Sequence, residues 1–151
     1  MKYFFCTILI FIFISVNAQA EEPKKNGMVK ILITGFKNDK GVSRAALFCD
    51  KHGFPNDTKH AFWKGKCDIH DNESRLSINN IDYGTYAVSV YHDENNNGKL
   101  DKKWKLIPSE GFGTSNNARK AKEGPKYEFS TFEVNADSIS IMVKLEYLFD
   151  R

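Results

Sequence analysis

Hydrophobic and polar positions alternate with a period of two in several short stretches of the chain. Val29, Ile31 and Ile33 alternate with Lys30 and Thr34, and Leu76 and Ile78 share one face of 74–79. Tyr86, Val88 and Val90 line one side of the clearest strand, and Ile139, Ile141, Val143 and Leu145 oppose Ser138, Ser140 and Lys144. Such alternation marks strands with one buried and one solvated face. Asn38-Asp39-Lys40-Gly41 reads as a turn that makes a hairpin of the first strand and a second over 43–49, and Gly84 is placed to take the positive φ of a tight turn. Asn135-Ala136-Asp137 joins strands near 127–134 and 138–147. Two long segments, 50–71 and 92–126, break the pattern; the first holds Phe54-Pro55 and Ala61-Phe62-Trp63, which read as a short helix or a cap over the core. Six or so strands, almost no helical periodicity and two long loops predict an all-β fold, a two-sheet antiparallel β-sandwich.

The strongest apolar run lies outside this pattern. Lys2 precedes an apolar stretch over 3–16, and Ala18-Gln19-Ala20 offers small residues where a signal peptidase needs them. The run is shorter than the ~20 residues that cross a bilayer, so 1–20 is expected to be a signal peptide cleaved after Ala20. A charged leader over 21–27 follows, then one domain over 28–151, secreted or periplasmic and with no later segment of transmembrane length. Charged residues make up 27% of the chain and the formal charge is +3, with Lys2 contributing one unit. The mature chain is then too weakly basic for electrostatic nucleic-acid binding.

Cys49 and Cys67 remain after cleavage. In an oxidising compartment they invite a disulfide that would stabilise the fold by roughly 3 kcal/mol; the other reading makes Cys49 a small buried hydrophobe. His52, His60 and His70 lie near them without C-x-x-C or H-x-x-x-H spacing, so zinc is not expected.

One loop carries chemistry. Asp93-Glu94-Asn95-Asn96-Asn97-Gly98-Lys99-Leu100-Asp101 has the D-x-N-x-N-G-x-x-D form of a calcium loop. Calcium takes about six to eight oxygens, and side-chain oxygens at alternate positions converge on one point if the backbone wraps around it. The expected ligands are Asp93, Asn95, Asn97, the Lys99 carbonyl and Asp101, with Gly98 supplying the sharp turn. The bidentate Glu of an EF-hand would fall on Trp104, and two leading ligands are neutral Asn, so any Ca2+ affinity is expected to be modest. Glu94 or Glu110 is a further candidate for the shell. The competing reading is a metal-free turn in which Asx side chains cap their own backbone.

Residues 84–95 (Gly-Thr-Tyr-Ala-Val-Ser-Val-Tyr-His-Asp-Glu-Asn) continue through Asn97-Gly98-Lys99-Leu100-Asp101 to Ile107-Pro108, Glu110-Gly111-Phe112-Gly113 and Ser115-Asn116-Asn117-Ala118. Together with Ile33-Thr34-Gly35, Asn38-Asp39-Lys40-Gly41, Ala46-Leu47-Phe48 and Gly53-Phe54-Pro55, this series resembles the DUF2141 family of secreted bacterial proteins. The resemblance implies an extracytoplasmic protein with a Greek-key, transthyretin-like or carboxypeptidase-regulatory-like sandwich and no established activity.

No G-x-S-x-G elbow, H-E-x-x-H helix or P-loop occurs, and His92 beside Asp93 reads as a strand end, so an enzyme is not expected. The leading expectation is a non-catalytic module whose calcium loop stiffens a loop surface for an unknown envelope or extracellular partner. The alternative is a carbohydrate or surface-polymer binder with the loop metal-free. Trp104, Phe112, Trp63 and Tyr91 would then be ring platforms, and Lys102, Lys103, Lys105, Arg119, Lys120 and Lys122 would meet anions. Against it stand ordinary core packing and a solvated surface. Ser115, Asn116 and Asn117 would either join such a ligand surface, with Trp104, Phe112 and Arg119, or hydrogen-bond backbone at a sheet end.

Overall fold

The computed structural model describes residues 25–104, 107–120 and 124–149; the expected signal peptide, its expected cleavage site and most of the expected leader lie outside them. Along the chain run β1 (Asn26–Thr34), β2 (Val42–Phe48), a 3-10 turn (Thr58–His60), β3 (Trp63–Cys67), β4 (Glu73–Asp82) and β5 (Gly84–Asp93). The short strands β6 (Lys102–Lys103), β7 (Ile107–Pro108) and β8 (Phe112–Thr114) follow, then a second 3-10 turn (Ser115–Asn117), β9 (Arg119–Lys120) and β10 (Gly124–Pro125). The chain closes with the single-turn helix α1 (Tyr127–Ser130), β11 (Thr131–Val134) and β12 (Ser138–Lys144).

Two sheets form the body. One has the order β12-β1-β4; the other has the order β11-β5-β2-β3, with β8 also on β5. The alternating residues supply the layer between them: Val29, Ile31, Ile33, Ile78, Ile81 and Val143 from the first, and Ala45, Leu47, Tyr86, Val88, Val90 and Val134 from the second, all buried in one cluster. Burial at this scale is the main stabilising term. β1 already begins at Asn26, ahead of Met28, because its amide edge continues into pairing with Ile81 and Asp82.

The sandwich departs from the expected one in how the chain moves between layers. β1 and β2 are not a hairpin: β1 pairs with β4 and β12, β2 with β3 and β5. The segment between them crosses from one sheet to the other, with Phe36 buried in the crossing. β1 and β12 run parallel, with Ile31 opposite Ile141, so not every pair is antiparallel. No turn occurs at Gly84, whose φ is not positive; the left-handed residue there is Asn80, and the chain passes from β4 to β5 through Tyr83 alone, changing sheets as it goes. The first long segment contains a strand, β3, and Phe54 caps the outer face of β2 edge-on against Phe48, with ring centroids 5.3 Å apart.

The disulfide expectation is corrected. Both thiols are free, and the β2–β3 register explains why. Cys67 lies opposite Ser43, at the far end of β2 from Phe48 and Cys49. Six residues of strand span about 20 Å, against the roughly 4.4–6.8 Å between Cα atoms that a disulfide allows. The Cys67 Sγ instead lies 2.7 Å from the Ser74 Oγ, and burial pushes its thiol pKa up. Alkylation of the native chain without reductant at about pH 8 should therefore modify Cys49 quickly and Cys67 slowly. Two alkyl groups should be taken up after unfolding; an unfolded chain that takes none would show the bridge.

Candidate functional site

The site grows from the end of β5. Successive strand residues point to opposite faces, so His92 and Asp93, both fully buried, diverge. His92 lies on the core side, edge-on against Phe36. Its Nε2 donates to the Lys40 carbonyl and its Nδ1 meets the Tyr147 hydroxyl, both at 2.6 Å. Both ring nitrogens are thus engaged in holding the β1–β2 crossing and the C-terminal segment to β5. The imidazole and the Asp93 carboxylate do not meet.

Asp93 organises the loop that follows. Its Oδ1 accepts from the Asn97 backbone N–H at 3.0 Å and its Oδ2 from Gly98 N–H at 2.9 Å, and Oδ2 also accepts from Arg44 Nε. Left-handed backbone at Asn96 (φ 58°) and Gly98 (φ 79°) wraps the chain around that carboxylate. Asn95 and Asn97 make Asx turns, with Oδ1 atoms accepting from Asn97 N–H and Lys99 N–H. Their Nδ2 groups both donate to the Asp101 carboxylate, at 2.8 Å from Asn95 and 3.0 and 3.1 Å from Asn97.

Asp93, Asn95, Asn97 and Asp101 are therefore gathered into one hydrogen-bonded knot, and Lys99 joins it through its backbone. Glu94 points away and pairs with Lys37 at 3.0 Å. Glu110, from the next loop, is buried and its two oxygens accept from Glu94 N–H and Asp101 N–H, each at 2.9 Å. Burial, with the nearby Asp101 and Asp93 carboxylates, holds its pKa above the usual value despite those two bonds. Among the described residues no group of three or more His, Cys, Asp or Glu is placed to hold a metal, so a cation here would rest on amide and backbone oxygens as much as on carboxylates.

Of the other expected surface, the rings of Tyr91 and Phe112 are brought together, opposite one another on β5 and β8. Trp104 is 76% exposed and packs on Phe149, while Phe112 lies on the outer face of the larger sheet. Trp63 packs against the core, its ring filling the space that a side chain at position 65 would occupy. Ser115 is buried and bonded to Val88 N–H and the Ser130 carbonyl. Asn116 donates to the Thr131 carbonyl at 2.7 Å and Asn117 accepts from Lys144 N–H at 2.9 Å. These side chains clamp backbone between the two sheets. The Arg119 side chain, like Lys105 and Lys122, lies outside what is described.

Arg44 was missed, and Glu110, expected only as a further oxygen donor for the loop, instead holds the Glu94 and Asp101 amides. Arg44 left a trace, since a lone charge inside the apolar run Val42–Phe48 requires a partner.

Comparison with known proteins adds the following. No curated protein sequence matches the chain. A solved structure, a fimbrial assembly protein from Parabacteroides distasonis ATCC 8503, is 13% identical with a TM-score of 0.44; the match covers 83% of this chain and 54% of that one, so this chain spans about half its length. Among the described residues no helix is long and apolar enough to cross a membrane. The family model described as an uncharacterized protein conserved in bacteria (DUF2141) matches residues 31–142, from within β1 to within β12, and the chain belongs to that family.

Proposed function

We propose that the chain is an exported, non-catalytic sandwich module whose 93–101 loop takes Ca2+ with modest affinity, stiffening a loop surface that meets an envelope or extracellular partner. The observation that carries this reading is the convergence of Asp93, Asn95, Asn97 and Asp101 within one wrapped turn. Two carboxylates, two amide oxygens and the Lys99 carbonyl would supply the hard oxygen donors that calcium prefers. Binding has a reorganisation cost. The Asn95 and Asn97 amides turn their Nδ2 groups toward Asp101, so both would have to present Oδ1 instead and give up those bonds. That cost, with the neutral Asn ligands, puts the expected Kd near the weak end for calcium loops, about 10⁻⁴–10⁻³ M.

At about 10 mM calcium such a Kd stabilises the folded state by about 1.4–2.7 kcal/mol. The Tm should then rise by about 4–10 °C over EDTA for a domain of this size. Asp101→Ala should remove the rise while lowering the EDTA melting temperature by only about 2–4 °C, because the Asn95 and Asn97 amides that lose their acceptor are exposed and turn to water. A second reading, a glycan binder with a metal-free loop, draws on the fact that the loop's carboxylates are already satisfied by internal donors. A wild-type Tm indifferent to calcium would favour it and overturn the calcium reading.

A further inference from the structure

The outer face of the five-stranded sheet carries a groove of about 640 Å³ that the loop knot only borders. Two cross-sheet rows form its floor. Lys66, Arg44, Tyr91 and Phe112 lie directly opposite one another on β3, β2, β5 and β8; Lys64, Ala46, Ser89 and Thr114 make the parallel row two residues along. Residues opposed in this way share a face. Small Ala46 and Ser89 keep the middle low, while Gly98, Lys99 and Leu100 form one wall and Pro55, Asn56 and Thr58 the other. The Ser89 hydroxyl donates to the Pro55 carbonyl at 2.9 Å, which ties that second wall to the sheet.

The charge of this groove is one-sided. Arg44, Lys64, Lys66, Lys99 and Lys102 line it and no acidic residue does. The four lysines are exposed and none forms an ion pair among the described residues. Lys66 lies opposite Arg44, whose guanidinium is paired with Asp93, so the uncompensated positive charge of the groove is that of the four lysines.

We propose that this groove binds an acidic oligosaccharide, its carboxylate or sulfate groups meeting the Arg44, Lys64 and Lys66 side and its sugar faces the Tyr91 and Phe112 rings. The inference deepens the glycan reading and does not require the calcium ion, because the cations are set by strand register. The volume lies within the roughly 300–1,000 Å³ of small-molecule sites. A flat anionic bilayer does not reach a recessed floor, and the small net charge of the chain argues against a nucleic acid.

Calorimetric titration of the mature chain in EDTA with a sulfated heparin hexasaccharide, a carboxylate-bearing hyaluronan hexasaccharide and neutral maltohexaose tests this. At least one acidic sugar should bind, and which one does identifies the anion; maltohexaose should not. Lys64→Ser with Lys66→Ser should weaken binding about tenfold, as expected for two exposed ion pairs, with a Tm nearly unchanged because both lysines are exposed. Lys30→Ser with Lys144→Ser, on the outer face of the other sheet, should leave binding within about twofold of wild type. The proposal is overturned if neither acidic sugar binds, if maltohexaose binds as well, or if the two double variants lose affinity equally. It is also overturned if anionic phosphatidylglycerol vesicles bind and the sugars do not, or if binding occurs only with calcium present, which would make the ion the bridge.

Discussion

Asp93→Ala should lower folding stability by about 3 kcal/mol and the urea midpoint by about 1–2 M. The carboxylate is fully buried and accepts from Arg44 Nε, Asn97 N–H and Gly98 N–H. Alanine leaves all three donors without an acceptor, and each unmet buried donor costs about 1–3 kcal/mol. The Arg44 side chain keeps 30% of its surface in water, so its charge can rehydrate. This keeps the expected loss at the lower end of the roughly 3–5 kcal/mol for breaking a buried pair. Asp93→Asn retains one acceptor oxygen and should recover part of the loss. Equilibrium urea unfolding of the three chains in EDTA checks this without any contribution from calcium. A loss below about 1 kcal/mol for Asp93→Ala would mean that the carboxylate does not organise the turn.

Gly41→Ala should cost a comparable amount by a different route. Gly41 has a φ of 72°, and a Cβ there would sit 2.0 Å from the Asp93 carbonyl oxygen and 2.8 Å from Glu94 backbone atoms. The obstruction is backbone, so no side chain can swing aside and the β1–β2 crossing must move off the end of β5. Left-handed strain of about 1–2 kcal/mol and overpacking of about 1–3 kcal/mol predict a total of about 2–5 kcal/mol. Gly124→Ala isolates the strain, because its φ is 64° and nothing lies within 4 Å of the added methyl. Equal losses in the two variants, read from thermal or urea unfolding, would remove the close approach of Gly41 to β5 from the account.

The strands legible in the sequence are those with an apolar residue at every second position, β1, β4, β5 and β12, together with the short apolar run of β2. β3 was hidden because only Trp63 and Cys67 face inward with Gly65 between them, the glycine giving up its side chain to make room for the indole. A strand expected near Tyr127 starts only at Thr131, since Ser130 Oγ bonds back to the Lys126 carbonyl and closes a helical turn first.

The β1–β2 error has a general cause. Asn38-Asp39-Lys40-Gly41 announces a reversal, but nothing local in it states whether the chain returns beside its own strand or crosses about 10 Å to the other layer. The cysteines failed in the same way, because their separation along the chain carries no information about register. The gathering of the loop side chains was legible for the opposite reason: Asp93, Asn95, Asn97 and Asp101 lie within one short segment, so their spacing alone brings them near one another. The groove was not legible. Its rows join β3, β2, β5 and β8, and Lys64 and Lys66, in a stretch without strand periodicity, acquire a shared face only when β3 pairs with β2.

The most direct test of the loop's role is a calcium titration followed by two-dimensional ¹H–¹⁵N NMR of the mature chain. Gly98, with its positive φ and its N–H on Asp93, and the Asn95 and Asn97 side-chain amides, now donating to Asp101, report the two features that an ion must change. With calcium rising to about 10 mM, these three signals should move together along one saturating curve while the amides of Val29, Ile31 and Val143 stay fixed. Signals that remain in place throughout the titration, or that move only at surface carboxylates elsewhere, would contradict the proposed calcium site and leave the 93–101 loop a self-capped turn.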